Sequence, residues 1–62
     1  MNDPTNERIE GPTPNGGPYA VAHFRDEAGA PVPKSEAVSA EIIEYDAENR
    51  EIFRTYGQLG SE

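Results

Sequence analysis

The sequence predicts a mostly β protein: a small antiparallel sheet of three or four strands, a meander of two hairpins, with a flexible Pro/Gly-rich N-terminal arm. Two observations lead to this fold class. Short segments rich in β-branched and aromatic residues recur between residues 19 and 57, and the turns after two of them share one residue pattern. At 62 residues the chain forms one domain at most.

The first segment, residues 1–18, is the predicted arm. It contains several prolines and glycines, and Ile9 is its only large aliphatic residue beyond Met1. So little apolar surface does not offset the entropy of ordering the chain. The stretch "PTPNGGP" is typical of a turn-rich connector. We therefore divide the chain into an arm at 1–18, a small β domain at 19–59 and a C-terminal tail at 60–62.

The stretch "YAVAHFR", residues 19–25, is predicted to be the first strand. Alternation places Tyr19, Val21 and His23 on one face, with Ala20, Ala22 and Phe24 on the other. "DEAGAPV" follows, in which Asp26 accepts bonds from nearby amides and Gly29 adopts positive φ. This combination is typical of a type I turn closed by a left-handed residue between antiparallel strands.

The later stretch "DAENREI", residues 46–52, repeats this chemistry 20 residues further on. The shared pattern is D-x-x-[G/N]-x-x-[V/I], and Asn49 occupies the place of Gly29. Asn is the residue that tolerates left-handed φ best after Gly. The pattern therefore predicts two hairpins of one design.

Between the two turns, Pro31 and Pro33 restrict any strand near Val32 to a short piece at a sheet edge. Ser35 is predicted to cap a single helical turn over residues 36–38. The long strands are then expected at about residues 38–46 and 50–57.

The pairing of these two long strands has two possible registers. Without a bulge, Ile43 lies opposite Ile52. With a bulge at Asn49, Ile43 lies opposite Phe53 instead. Turn chemistry favours the bulge and side-chain pairing favours the unbulged form, so both registers stay open.

Both registers place large apolar side chains on both faces of the sheet, because Ile42 and Ile43 are adjacent and so are Ile52 and Phe53. A solvated antiparallel sheet should instead alternate apolar and polar residues. The sheet must then curl, take the N-terminal arm across one face, or pair with another chain. We favour pairing.

Charge and composition narrow the function classes. Twelve acidic against five basic residues give a net charge of −7, which repels nucleic acids and anionic membranes and attracts basic proteins. There is no cysteine, so no disulfide or zinc–thiolate site is expected, and no cofactor or metal. Without an apolar run of about 18 residues or a basic, apolar start, we expect a cytoplasmic protein without a membrane span.

Catalysis is not expected. His23 is the only histidine, and a sheet this small has little room for the pocket and partner that a general base needs. "DAENREIFRTYG" starts like a calcium loop but has Arg50 at position five, Glu51 at six and Gly57 at twelve. We therefore expect no enzyme, no metal and no small-molecule substrate.

Tyrosine and arginine in the last two strands favour protein binding, because each buries apolar area while keeping a polar group. The predicted function is a small acidic, non-catalytic module that docks a protein partner, or a second copy as a homodimer, through a sheet face or edge. The candidate partner-binding residues are Ile43, Tyr45, Ile52, Arg54 and Tyr56.

Two alternatives stay open. The acids of the last hairpin resemble the carboxylate arrays of small inhibitors that mimic nucleic acids, of the kind found in phage anti-defence or immunity systems, although Arg50 and Arg54 interrupt them. The other alternative is a minor regulatory subunit of an enzyme, with His23 near the chemistry. The candidate acidic surface comprises Glu41, Glu44, Asp46, Glu48 and Glu51.

Overall fold

The computed structural model describes residues 4–59. These residues form one four-stranded antiparallel sheet in which every strand lies beside its neighbour in sequence. The predicted β meander is therefore confirmed. The strands are β1 (Asn6–Glu10), β2 (Tyr19–Arg25), β3 (Ser39–Tyr45) and β4 (Glu51–Gln58), and a short 3-10 turn spans Lys34–Glu36. The predicted tail at 60–62 lies outside the described residues.

Strand β1 lies within the segment predicted as an arm. It pairs with β2 from Asn6 opposite His23 to Glu10 opposite Tyr19, and all its residues are exposed. The ladder continues one step further, since the Phe24 N–H donates to the Thr5 carbonyl at 2.9 Å. The residues of β1 carry no sequence signal for a strand, because backbone bonds to β2 hold this strand and it buries little apolar surface of its own.

Three turns share one hydrogen-bond design. In each, the first residue's N–H donates to the fifth residue's carbonyl, and the fourth residue's N–H donates back to the first residue's carbonyl. The fourth residue has positive φ, which favours Gly or Asn. The turns are Thr13–Gly17, Asp26–Ala30 and Asp46–Arg50, with φ of 93° at Gly16, 85° at Gly29 and 67° at Asn49.

The side chain of the first residue stabilises each of these turns. The Oδ1 atoms of Asp26 and Asp46 each accept two backbone amides within their own turn. In the first turn the Thr13 hydroxyl oxygen accepts the Gly17 N–H at 2.8 Å. The two aspartate turns confirm the predicted pair. The turn at Thr13 does not match the predicted sequence pattern because it begins with threonine instead of aspartate.

The connection between β2 and β3 follows the prediction only in part. An isolated bridge joins Pro31 to Arg25, and the Val32 N–H donates to the Phe24 carbonyl at 3.2 Å, as expected of a short edge segment. The predicted helical turn begins earlier than expected, at Lys34, and Ser35 lies inside it instead of capping it. Pro33, an N-cap without a side-chain bond, precedes the turn.

The register of β3 and β4 differs from both predictions. Tyr45 lies opposite Glu51, which fits the bulged turn, but Ile43 lies opposite Arg54 and not Ile52 or Phe53. The reason is a second bulge, in which Ile52 is the additional residue of β4. A bulge leaves one residue of its strand unpaired and shifts every later pair by one position.

The two faces of the sheet are covered differently. On the covered face, the loop between β1 and β2 (residues 11–18, the Pro/Gly loop) is bonded to Glu44 through Asn15. Ala37, which follows the 3-10 turn, and Leu59 pack against the cluster of Ala22, Phe24 and Ala40. On the opposite side, the open face, side-chain contacts within residues 4–59 join strand residues to one another or to the turns. The chain thus covers one face itself. The open face carries Asn6, Arg8, Glu10, Tyr19, Val21, His23, Arg25, Ser39, Glu41, Ile43, Tyr45, Arg54, Tyr56 and Gln58.

Candidate protein-binding face

Four of the five predicted contact residues share the open face. The register sets Ile43 opposite Arg54 and Glu41 opposite Tyr56, so alternation turns their side chains to the same side, together with that of Tyr45. Ile43 is buried, whereas Tyr56 is 70% exposed. Each bulge shifts the pairing by one residue and so exchanges the faces of β4. Two bulges restore the faces that a regular hairpin would have.

Ile52 is the predicted contact residue that does not join this group. As the additional residue of the bulge it approaches the loop of the covered face, where its Cδ1 atom lies 3.1 Å from the position that a Cβ on Gly17 would take. The same Cβ would also collide with the Tyr45 carbonyl oxygen. Ile52 therefore packs against the Pro/Gly loop at Gly17.

Glu41 is the centre of a polar network on the open face. Its carboxylate accepts Arg25 Nη2 at 3.1 Å, Arg54 Nη1 at 2.6 Å and the Tyr56 hydroxyl at 3.1 Å. The side chain of Glu41 is only 8% exposed, whereas those of Arg25 and Arg54 are 37% and 43% exposed. The buried carboxylate thus orients two cations and a phenol that still reach solvent.

Arg54 is held from two sides. Its Nε and Nη2 atoms donate to the two oxygens of Glu51 at 3.0 and 2.6 Å, a bidentate pair, while Nη1 reaches Glu41. The hydrogen bond to Glu51 is the main reason that the pKa of Arg54 is raised. The hydrogen bond from Arg25 is the main reason that the pKa of Glu41 is lowered, against the opposing effect of burial. Arg54 and Glu41 are therefore both charged at neutral pH.

A second cluster lies at the other end of the open face. The rings of Tyr19 and Tyr45 stack with their centroids 5.2 Å apart and an interplanar angle of 14°. The guanidinium carbon of Arg8 lies 4.0 Å from the Tyr19 ring centroid. The Tyr19 hydroxyl donates to Asn49 Oδ1 at 2.7 Å and so ties this cluster to the last turn.

Arg8, Tyr19 and Arg25 also belong to this face, although none of them is among the contact residues predicted from the sequence. Two of them, Tyr19 and Arg25, could have been found in "YAVAHFR", because every second residue of a strand lies on the same face. No such signal exists for Arg8, since its place depends on the pairing of β1 with β2.

The five acids predicted as one surface are dispersed. Glu41 is buried on the open face and Glu44 on the covered face, at 6% and 5% exposure. Asp46 is used within its turn. Glu48 and Glu51 are each within hydrogen-bond distance of an arginine, Arg50 and Arg54 respectively. The register and the turns therefore do not bring these carboxylates into a regular array.

Glu44 anchors the Pro/Gly loop to the sheet. Its carboxylate accepts the backbone N–H and the side-chain Nδ2 of Asn15, both at 3.0 Å. The hydroxyl of Thr13 is the main cause of the lowered pKa of Glu44, followed by the donors of Asn15. This acid thus holds the cover of the covered face in place.

His23 lies on the open face opposite Glu41 of the neighbouring strand. Within residues 4–59, no three carboxylate or imidazole groups are arranged to hold a metal ion. A cleft of about 630 Å³ lies between Pro4, Phe24 and Lys34, and neither His23 nor a predicted contact residue lines it. The described part of the chain also contains no helix with the length and apolar character needed to cross a membrane.

Comparisons with protein-family models, with curated proteins and with solved structures find no match. The contacts of this chain are therefore interpreted from its own residues.

Proposed function

We propose that this protein is a non-catalytic binding module that docks another protein on the open face, at the side formed by β4. The observation that carries this proposal is the position of Tyr56, a 70% exposed tyrosine whose hydroxyl is held by the buried Glu41 next to Arg54. Tyrosine and arginine are the side chains that contribute most often to the energetic centre of protein interfaces.

Preorganisation supports this role. Binding orders flexible side chains, and each ordering step costs free energy that weakens the complex. Arg54 is already restrained by Glu41 and Glu51, and Tyr56 by Glu41. A partner that packs on this pair therefore meets side chains whose conformations are set in advance.

The chemistry of the face defines the partner. The ring of Tyr56 offers apolar area, and the guanidinium of Arg54, 43% exposed, offers donors to a carbonyl or carboxylate. The net charge of −7 favours encounter with a basic protein, while the contact itself is apolar and locally neutral. We therefore expect a basic partner whose contact patch presents an apolar groove beside a hydrogen-bond acceptor.

The test compares three forms of the tagged chain in affinity capture from lysate of its source, followed by mass spectrometry. Tyr56→Ala should lose the partner that the unmodified chain retains, because it removes the exposed ring. Glu48→Gln, which changes an exposed acid of the last turn, should retain it. Equal capture by all three forms would contradict the proposal.

The same experiment distinguishes the alternatives that the charge suggests. An acidic inhibitor of a nucleic-acid-binding protein should lose its partner with Glu48→Gln, keep it with Tyr56→Ala, and release it steeply as salt rises. If the protein is instead a regulatory subunit that acts through its imidazole, the His23→Ala variant should still capture the enzyme but should no longer change the enzyme's rate.

A further inference from the structure

The outer edge of β4 carries unpaired backbone groups. The Leu59 N–H donates to the Val38 carbonyl at 2.9 Å, so this position faces β3. Backbone groups alternate in direction along an antiparallel strand. The N–H and C=O groups of Gly57 and Thr55 therefore face β3, and those of Arg54 and Tyr56 point away from the sheet. Within residues 4–59 no strand lies beyond β4.

The two edges of the sheet differ in their protection. Exposed edge strands template further pairing, and natural proteins block them with charged residues and short length. The five residues of β1 include the charged Glu7, Arg8 and Glu10. The eight residues of β4 include only Glu51 and Arg54, which neutralise each other in a bidentate pair. The edge formed by β4 is the longer one and the one without net charge.

We propose that two copies of this chain pair through antiparallel β4 strands, with the two-fold axis at Thr55, to form one continuous sheet of twice the width. The occupant of the edge is a second copy because the side chains of β4 complement themselves in this register. This proposal goes beyond the docking function above and does not rest on it, since the pairing uses the outward backbone groups of β4. In the pair, the Tyr56 surfaces of the two copies lie side by side on the open face.

Hydrogen bonding and charge select the register. A symmetric pairing must match the outward-pointing residues of the two copies, which allows an axis at Arg54, Thr55 or Tyr56. An axis at Arg54 sets two guanidinium groups directly opposite each other, which is unfavourable. An axis at Tyr56 pairs only the second half of the strand. The axis at Thr55 pairs residues 52–58 of both copies and separates the like charges.

The side chains fit this register on both faces. On the open face Arg54 lies opposite Tyr56 of the second copy, which sets a cation beside an aromatic ring. On the covered face Phe53, 45% exposed, lies opposite Gly57 of the second copy. A Cβ on Gly57 would meet no atom within 4 Å, so this glycine leaves room for the Phe53 ring. The pairing thus covers the exposed ring of Phe53.

Charge predicts how the dimer responds to salt. Each copy carries −7, so the two copies repel each other at long range although the paired edges are neutral. Raising NaCl from about 20 to about 300 mM screens this repulsion and should tighten the dimer.

Sedimentation velocity of the full chain measures the association. At about 100 µM chain and 300 mM NaCl, a dimer should be the main species, since this concentration exceeds the Kd of a micromolar complex. Thr55→Lys and Thr55→Glu should each be monomeric, because like charges then face each other across the axis, and an equimolar mixture should recover a heterodimer. Asn6→Lys, the same change on the opposite edge, should remain dimeric. A monomeric unmodified chain, or dimeric Thr55→Lys, would overturn the proposal.

A disulfide tests the register without relying on added charge. The chain has no cysteine, so Thr55→Cys introduces a single thiol. Residues across the axis at Thr55 form a non-hydrogen-bonded pair, whose Cα separation of about 4.5 Å suits a disulfide. Diamide should oxidise the two thiols to one S–S bond and be reduced to its hydrazine. Rapid cross-linking of Thr55→Cys but not of Asn6→Cys is expected. Equal rates for the two variants would contradict the axis at Thr55.

Discussion

Arg54 Nη1 lies 2.6 Å from Glu41 Oε2, and this contact joins the exposed edge strand to the buried centre of the open face. Glu41 belongs to the predicted acidic surface, yet it is almost fully buried. Its function in the fold is to orient Arg25, Arg54 and Tyr56. Four predictions follow from this network and from the turns around it.

Removing the carboxylate should destabilise the fold. Glu41→Ala leaves two arginines and a tyrosine hydroxyl without their shared acceptor, and we expect a loss of about 1–2 kcal/mol in the free energy of unfolding, because both arginines still reach water. Urea denaturation followed by circular dichroism measures this loss. Glu48→Gln serves as the control, since Glu48 is exposed and bonds only to Arg50. Equal stability of the two variants would contradict the central role of Glu41.

Stability should fall in acid. The pKa of Glu41 is lowered below its ordinary value of 4.5 by the hydrogen bond from Arg25, so the folded state holds this proton less tightly than the unfolded state. Its contribution is therefore present above about pH 4.5 and is lost as the pH falls through the folded pKa. Glu44, with its pKa lowered by Thr13, acts in the same direction.

The pH dependence is measured as the free energy of unfolding in urea between pH 3 and pH 7. The double variant Glu41→Gln, Glu44→Gln should reduce the fall below about pH 4.5, because amides do not take up the protons. Part of the fall should remain, since the pKa values of Asp46 and Glu51 are also lowered, mainly by hydrogen bonds from Arg50 and Arg54 respectively. An unchanged slope would assign the acid sensitivity to other carboxylates.

Gly17 should not tolerate a side chain. A Cβ there would collide with the Tyr45 carbonyl oxygen and crowd Ile52, so we expect Gly17→Ala to cost about 2 kcal/mol or more of stability. Gly57→Ala is the matched control, since no atom of its own chain lies within 4 Å of its Cβ position. Both variants are measured at a concentration low enough to keep the chain monomeric, because Gly57 also faces Phe53 in the proposed dimer. Thermal unfolding of the two variants measures the difference. A similar Tm for both would contradict the close contact of the Pro/Gly loop with Ile52 at the second bulge.

Asn49 should be replaceable by glycine more readily than by alanine. Its φ of 67° costs a residue with a side chain about 1–2 kcal/mol, a cost that glycine avoids. Both variants lose the bond from the Tyr19 hydroxyl, so their difference in unfolding free energy isolates the backbone conformation. An Asn49→Ala variant as stable as Asn49→Gly would mean that the turn relaxes to another geometry.

Local chemistry explains which elements could be predicted. The two aspartate turns are complete within five residues each, because the Asp side chain, the left-handed residue and the closing hydrogen bonds all lie inside that span. Alternation in "YAVAHFR" likewise assigns its faces without knowledge of any partner strand. The meander sheet follows from these short-range rules. The grouping of Arg54 and Tyr56 with Ile43 and Tyr45 also needs the second bulge, because the turn bulge alone would place the β4 residues on the opposite face.

The sequence by itself thus determined the fold class, both aspartate turns and the alternation of side chains within β2 and β3. Only the tertiary structure decided the register of β4, the pairing of β1 and the burial of Glu41 and Glu44. The physical reason is range: Ile52 leaves the ladder where it meets the loop at Gly17, and this contact joins residues distant in sequence. A shift of one residue in such a contact changes every later pair, and no rule confined to neighbouring residues contains that information.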